Sequence, residues 1–319
     1  MASGLYLFML REKLGWLIAK QPVEESCRLS TDRRTGAASH LKAPSLKRIE
    51  PVLEAEVITW LGRESEGRDG ETFKVELLDQ NDRTETGYVK LTSDPRKVIA
   101  ELAAAQVGRA LDLRIPRPYM ALLDTNKIPG DFDSKFARKG HMLCFASRQA
   151  GQLSYSLERA LRQPTSEQSV AIEKSFDLDG TIAFDELIAN ADRNQGNIIY
   201  APDSKQVWLI DHGRALTGEY WAAWGLDDPA IDVGNELAEK HRRDWDEARR
   251  RKVLATAQKL VTNCAALCLD DLDKEGHYAK IDSETDRRQI AAFLKDRIQH
   301  TVPLLCKRLQ IAQLPLQQP

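Results

Sequence analysis

Apolar and polar residues alternate with a period of two in three short early stretches, "AEVITWL" (55–61), "TFKVELL" (72–78) and "TGYVKLT" (86–92). Gly- and Asp-rich connections separate them, so the pattern predicts half-buried strands. The period then lengthens. "SDPRKVIAELAAAQVGRAL" (93–111) places Val98, Ile99, Leu102 and Val107 on one face, which predicts a helix. Ser93 or Asp94 suits its N-cap and Pro95 its first turn. Strands return at "RPYMALLD" (117–124) and "HMLCFAS" (141–147). Beyond Gly151 helical spacing takes over in "SYSLERALRQ", "SVAIEKSF" and "TIAFDELIANA". A hairpin interrupts it, "NIIYA" (197–201) and "QVWLID" (206–211), joined by a Pro-Asp-Ser-Lys turn. Residues 226–310 read as almost wholly helical.

A strand-rich part therefore precedes a helix-rich one, with the seam near residue 150, which predicts an α+β chain. The division is an extension over 1–48, a β-rich part over 49–150 and a helical part over 151–319. Residues 22–48 are polar, rich in Ser and Arg and without periodicity, as in a linker. The opening "MASGLYLFMLREKLGWLIAK" is interrupted by Arg11-Glu12-Lys13 and has neither a basic lead nor a small-residue cleavage site. It predicts a peripheral amphipathic helix and not a membrane span.

Composition narrows the field only a little. The chain has 319 residues with 42% hydrophobic and 29% charged content, ordinary for a globular protein. A net charge of −2 gives no global attraction to nucleic acid or an anionic membrane. Five scattered cysteines, odd in number and without a CxxC pair, predict reduced thiols and a cytoplasmic setting. The basic run "HRRDWDEARRRKV" (241–253) reads as a solvated helix face, with docking of an acidic partner as the alternative.

The chemistry concentrates in "DELIANADRNQGNIIY" (185–200), where Asp192-Arg193-Asn194-Gln195-Gly196-Asn197 joins a helix to a strand. A turn needs far less polarity than this. Antiparallel pairing around 202–205 brings Asn197 and Asp211 to one end of the hairpin, and the loop puts Asp192 beside them. Three oxygen-bearing side chains at one spot suit a hard cation, since Mg²⁺ takes one or two protein oxygens and fills its shell with water and phosphate. A carboxylate not needed for the metal can orient a hydroxyl and take its proton. D-x-x-x-x-N followed by a strand and Asp211-His212-Gly213 matches the catalytic and metal-binding loops of the protein-kinase fold. Asp192 and Asn197 are thus the catalytic candidates, and Asn197 and Asp211 the metal candidates.

A phosphoryl-transfer site also needs a cation on the nucleotide phosphates. Lys90 in "GYVKL" sits in a β-run ahead of the acid loop, and Glu101, the interior carboxylate of the next helix, can pair with it. "GRESEGRDGET", with Gly62, Gly67 and Gly70, either folds N–H groups over phosphates or is a plain hairpin turn. "CFASRQAG" (144–151) lies at the seam, where an adenine ring would be sandwiched.

"FDELIANADRNQGNIIY" with "VWLIDHGRAL" resembles the stand-alone HipA-like kinases, relatives of the kinase subunit of bacterial toxin–antitoxin pairs. It is more distantly similar to the loops of phosphatidylinositol kinases. The resemblance runs from about Ile49 to Leu216 and is strongest over 184–216. It implies a bilobal protein-kinase-like fold with a β-rich N-lobe and a mainly helical C-lobe. It further implies an ATP- and Mg²⁺-dependent phosphotransferase acting on Ser or Thr of a protein substrate, with a regulatory or antitoxin-like partner. Asp192 would be the acid/base, Asn197 and Asp211 the metal ligands, and Lys90 and Glu101 the nucleotide-side pair. Many relatives carry His where Asn194 stands here. A catalytically silent kinase-like scaffold, and a kinase for lipids or small molecules, are the other readings of the same residues.

Overall fold

The structure, a computed structural model, describes residues 46–64, 71–130, 140–218, 221 and 226–311. Gly67 and Gly70, and residues 1–45, lie outside the described residues. The early alternation becomes strands β1 (Leu53–Glu64), β2 (Glu71–Asp79) and β3 (Thr84–Leu91), joined by β4 (Pro118–Asp124) and β5 (His141–Arg148). They close into a barrel in the order β1-β2-β3-β5-β4. All pairs are antiparallel except β1 with β4, which is parallel. Alternate residues such as Phe73, Val75, Val89, Tyr119 and Cys144 fill its interior. Two register shifts, between Val57 and Thr59 and between Trp60 and Gly62, coil β1 and end its clean alternation.

β4 is buried on both faces from Pro118 to Leu123, because α1 (Pro95–Ala110) covers the outside of β4 and β5. Asp94 is the N-cap, accepting from the Arg96 backbone N–H at 3.0 Å, with Pro95 in the first turn. The sequence predicts one apolar face for this helix. Instead, 12 of its 16 residues are buried, Glu101 and Gln106 among them. The alanines at 103–105 and Gly108 make that possible, since small side chains let neighbours approach from every side.

The later part is helical with a small sheet. After β6 (Tyr155–Ser156) come α2 (Leu157–Ala160), α3 (Ser166–Ser175) and α4 (Leu178–Leu187). Then follow β7 (Ile198–Ala201), β8 (Gln206–Leu209), α5 (Glu236–His241), α6 (Glu247–Ala265), α7 (His277–Ile281) and α8 (Arg287–Arg308). The helix predicted over 154–163 is shorter than expected: Tyr155 and Ser156 pair with β7, and Ser156 caps only one turn. Residues 226–310 are also less continuous: 227–235, 242–246 and 282–286 are not helical, and 266–276 hold only a single 3₁₀ turn, Leu269–Asp271. α4 is the hub, packed on α6 and α8 and buried from Asp179 to Leu187.

The basic run at 241–253 is not a bare solvated face. Arg249 lies 4.5 Å over the Trp245 ring, which stacks on His241, and its guanidinium also pairs with Asp179 of α4. Arg242 and Arg250 donate to the carbonyls of Arg308 and Leu309, satisfying the open C-terminal end of α8. Among the described residues no helix is long and apolar enough to cross a membrane.

Candidate active site

On β3, Val89 and Leu91 face the barrel interior, so the period of two turns Lys90 outward toward α1. Its Nζ lies 3.3 Å from Glu101 Oε1 and 2.6 Å from Asp211 Oδ1. The other Glu101 oxygen accepts from the His212 backbone N–H at 2.8 Å and lies 3.6 Å from His212 Nδ1. One carboxylate of α1 therefore holds both the lysine and the loop that follows β8. Burial opposes charge on Lys90, but Glu101 and Asp211 outweigh it and hold the ammonium's pKa above its ordinary value. Burial likewise opposes ionisation of Glu101, yet Lys90 and the His212 donors prevail and bring its pKa down to about 2. Burial, aided by Arg193, lowers the His212 pKa, which favours the neutral ring.

The acid loop is built differently from its sequence expectation. α4 stops at Leu187, so Asp192 is not at the helix end but in an irregular stretch beyond a turn at Ala189, whose φ is +51°. Asn197 precedes β7 in a single 3₁₀ turn capped by Asn194, whose side chain accepts from Gly196 N–H. Asp211 lies two residues past β8, with a left-handed φ of +57° that Asp adopts more readily than bulkier residues. The predicted hairpin register is present: Ile198 pairs with Leu209, and the Ile210 N–H donates to the Asn197 carbonyl at 3.1 Å.

These pieces meet in one cleft of about 820 Å³, lined by Lys90, Glu101, Asp192, Asn194, Asn197 and Asp211 among others. Asn197 Nδ2 donates to the Asp192 carbonyl at 2.6 Å and lies 3.5 Å from its Oδ2. Arg214 Nε stands 3.7 Å from the same carboxylate oxygen. Phe145, Ser147 and Ala150 from the "CFASRQAG" stretch line this cleft, as do Glu64 and Thr72, which flank the segment holding Gly67 and Gly70.

The donor set suits a hard divalent cation. The Asn197 amide nitrogen is committed to Asp192, which leaves its amide oxygen available to a cation, and the Asp211 carboxylate lines the same cleft. Among the described residues no group of three or more His, Cys, Asp or Glu is arranged around a metal position. A cation here would complete its shell with water and phosphate oxygens, as Mg²⁺ does.

Three contributors escaped the sequence reading: Asp185, Asn190 and Arg193, all fully buried behind the loop. Arg193 stands in the turn as an unexplained base: its guanidinium pairs with the Asp185 carboxylate, and its remaining partners are two main-chain carbonyls, which carry no residue signature.

A family model described as HipA-like kinase matches residues 80–295. Among solved structures, the chain is similar to the crystal structure of a Helicobacter pylori proinflammatory kinase, CtkA. That match has 12% identity and a TM-score of 0.46, over 83% of this chain and 100% of that one. No curated protein matches.

Proposed function

The chain belongs to the HipA-like kinase family, and on that premise we propose that it transfers the γ-phosphoryl of ATP to a Ser or Thr hydroxyl of a protein substrate. The observation that carries this reading is Lys90, bonded at once to Glu101 of α1 and to Asp211, in the cleft that also holds Asp192 and Asn197. A half-buried lysine held charged by two carboxylate partners supplies what a polyphosphate needs, a fixed cation that does not have to be recruited from solvent.

In this reading residues 49–150 form the nucleotide-binding lobe and 151–319 the lobe carrying the acid loop. Gly67 and Gly70 are assigned to nucleotide binding by the glycine-rich sequence around them. Asn197 and Asp211 would hold Mg²⁺, which when bound neutralises phosphate charge. Asp192 orients the acceptor hydroxyl and takes its proton as the new O–P bond forms and the bond to the β-phosphate oxygen breaks, leaving ADP. Arg214, beside Asp192, stabilises the ionised carboxylate before transfer. The four described cysteines are free, which supports a cytoplasmic setting. An antitoxin-like regulatory partner belongs to the same reading.

The test is labelling of lysate proteins with radiolabelled ATP by wild type, Asp192→Ala and Asp211→Ala. Transfer catalysis here is electrostatic and positional, so each variant is expected to lose about 100-fold or more in rate with an unchanged circular dichroism spectrum. Full labelling by folded Asp211→Ala would remove the mechanism.

A further inference from the structure

The guanidinium of Arg193 has no solvent exposure, although it sits in the acid loop between two cleft residues. Its Nε lies 3.1 Å from Oδ2 of Asp185 on α4, and its Nη2 lies 3.1 Å from Oδ1. Its Nη1 donates to two main-chain carbonyls, that of Asn197 at 3.0 Å and that of Ile210. The first belongs to one proposed cation ligand and the second to the residue before the other. Asp185 is braced in turn by Asn190 Nδ2 at 2.8 Å, and Asn190 Oδ1 accepts from the Asp192 N–H at 3.3 Å. One buried ion pair thus reaches the backbone at Asp192, at Asn197 and next to Asp211.

Stability is a poor reason for such a pair. Replacing a buried ion pair with well-packed apolar residues is often neutral or stabilising. What the pair provides is geometry. A planar fork bound on one side by a carboxylate can fix two carbonyls at a set separation, which a lysine ammonium cannot do. We propose that Arg193, anchored by Asp185, is a positioning residue that sets the distance between Asn197 and Asp211 and so tunes their grip on a divalent cation. The inference rests on the phosphotransferase reading above. Arg193 touches neither nucleotide nor acceptor; it acts through the backbone of the two ligands.

Mn²⁺, whose free form is counted by electron paramagnetic resonance, is the probe, titrated into the full chain with a non-hydrolysable ATP analogue. Supporting groups behind metal ligands typically contribute about 10- to 100-fold in affinity or activity, and Arg193→Lys is expected to weaken Mn²⁺ binding and lower kcat within that range. Because the single variant leaves Asp185 imperfectly paired, Arg193→Met/Asp185→Leu serves as the second: it removes both charges, is expected to fold, and should show the same loss of Mn²⁺ affinity. A purely structural role would lower the folded fraction and leave the affinity of folded molecules unchanged. Wild-type Mn²⁺ affinity in either folded variant overturns the proposal, as does loss of the native near-ultraviolet spectrum in both. A wild-type chain that binds no Mn²⁺ with the analogue overturns the phosphotransferase reading itself; matched binding in wild type and variants removes only the role of Arg193.

Discussion

Lys90 has two carboxylate partners of unequal standing. Glu101 is 2% exposed and has Lys90 as its main counter-charge, while Asp211 is 29% exposed and keeps access to water. Removing the lysine therefore strands Glu101. Breaking a buried pair from one side costs about 3–5 kcal/mol, so Lys90→Met is expected to lower the urea midpoint markedly. Adding Glu101→Gln removes the stranded charge while keeping an acceptor for the His212 N–H, so the double variant should regain much of the lost stability. It should regain no phosphoryl transfer. A double variant as unstable as Lys90→Met would show that Glu101 does not depend on the lysine's charge. Both residues were legible because a lysine in a strand followed by a carboxylate inside a helix is a pattern of side chains. Arg193 was not legible as a clamp, because the two carbonyls it holds could belong to any residue type.

At the scale of elements, the period-two runs predict β1 to β3 and the capped helix predicts α1 nearly as they stand, and β4 and β5 fall within a residue of their expected spans, since each rule is local. Barrel closure was not local. It requires β1 to pair in parallel with β4, with Leu53 opposite Tyr119, and nothing in either run announces a partner that far along the chain. The all-round burial of α1 was hidden for the same reason. Gly108 shows how tightly that helix is enclosed: a Cβ there would lie 2.8 Å from Phe184 Cζ of α4 and closer still to Ile115 Cδ1. Gly108→Val must push α1 away from α4 or force both side chains from their rotamers. Overpacking of this kind costs about 1–3 kcal/mol, and the expected readout is a lower denaturant midpoint with an unchanged slope. Glu101 rides on the same helix two turns earlier, so the KM for ATP should rise as well. An unaltered midpoint would mean that the α1–α4 contact has more slack than its geometry implies.

Across the whole molecule, the start of the described chain is tied to its last helices and to α1. Arg48 meets Asp271 at 2.7 Å, Lys280 meets Glu54 at 3.0 Å, and His277 Nε2 lies 3.2 Å from the Val52 carbonyl. The Tyr278 hydroxyl donates to Gln106 of α1 at 3.2 Å. Asp273 organises this junction, its carboxylate accepting from the backbone N–H groups of His277 and Tyr278. Burial raises its pKa to about 6 against the lowering effect of those two donors. A carboxyl whose folded pKa exceeds its unfolded value of about 3.9 binds its proton more tightly in the native state, so its stabilising contribution is complete below about pH 4 and lost as pH rises through about 6. Glu101 has the opposite sign and another window, its contribution being lost only as pH falls through about 2. His277, whose pKa is lowered by burial and by Lys280, destabilises the fold on acidification and partly masks Asp273 in the total curve. The difference between wild type and Asp273→Asn isolates the carboxyl, because the lost backbone acceptor is a constant offset while the titration is not. From pH 4 to 7 wild type should lose roughly 1–3 kcal/mol relative to the variant, measured by urea unfolding at each pH. A difference that stays flat across that interval would mean that Asp273 titrates in the folded chain as it does in water, and that the junction is open to solvent.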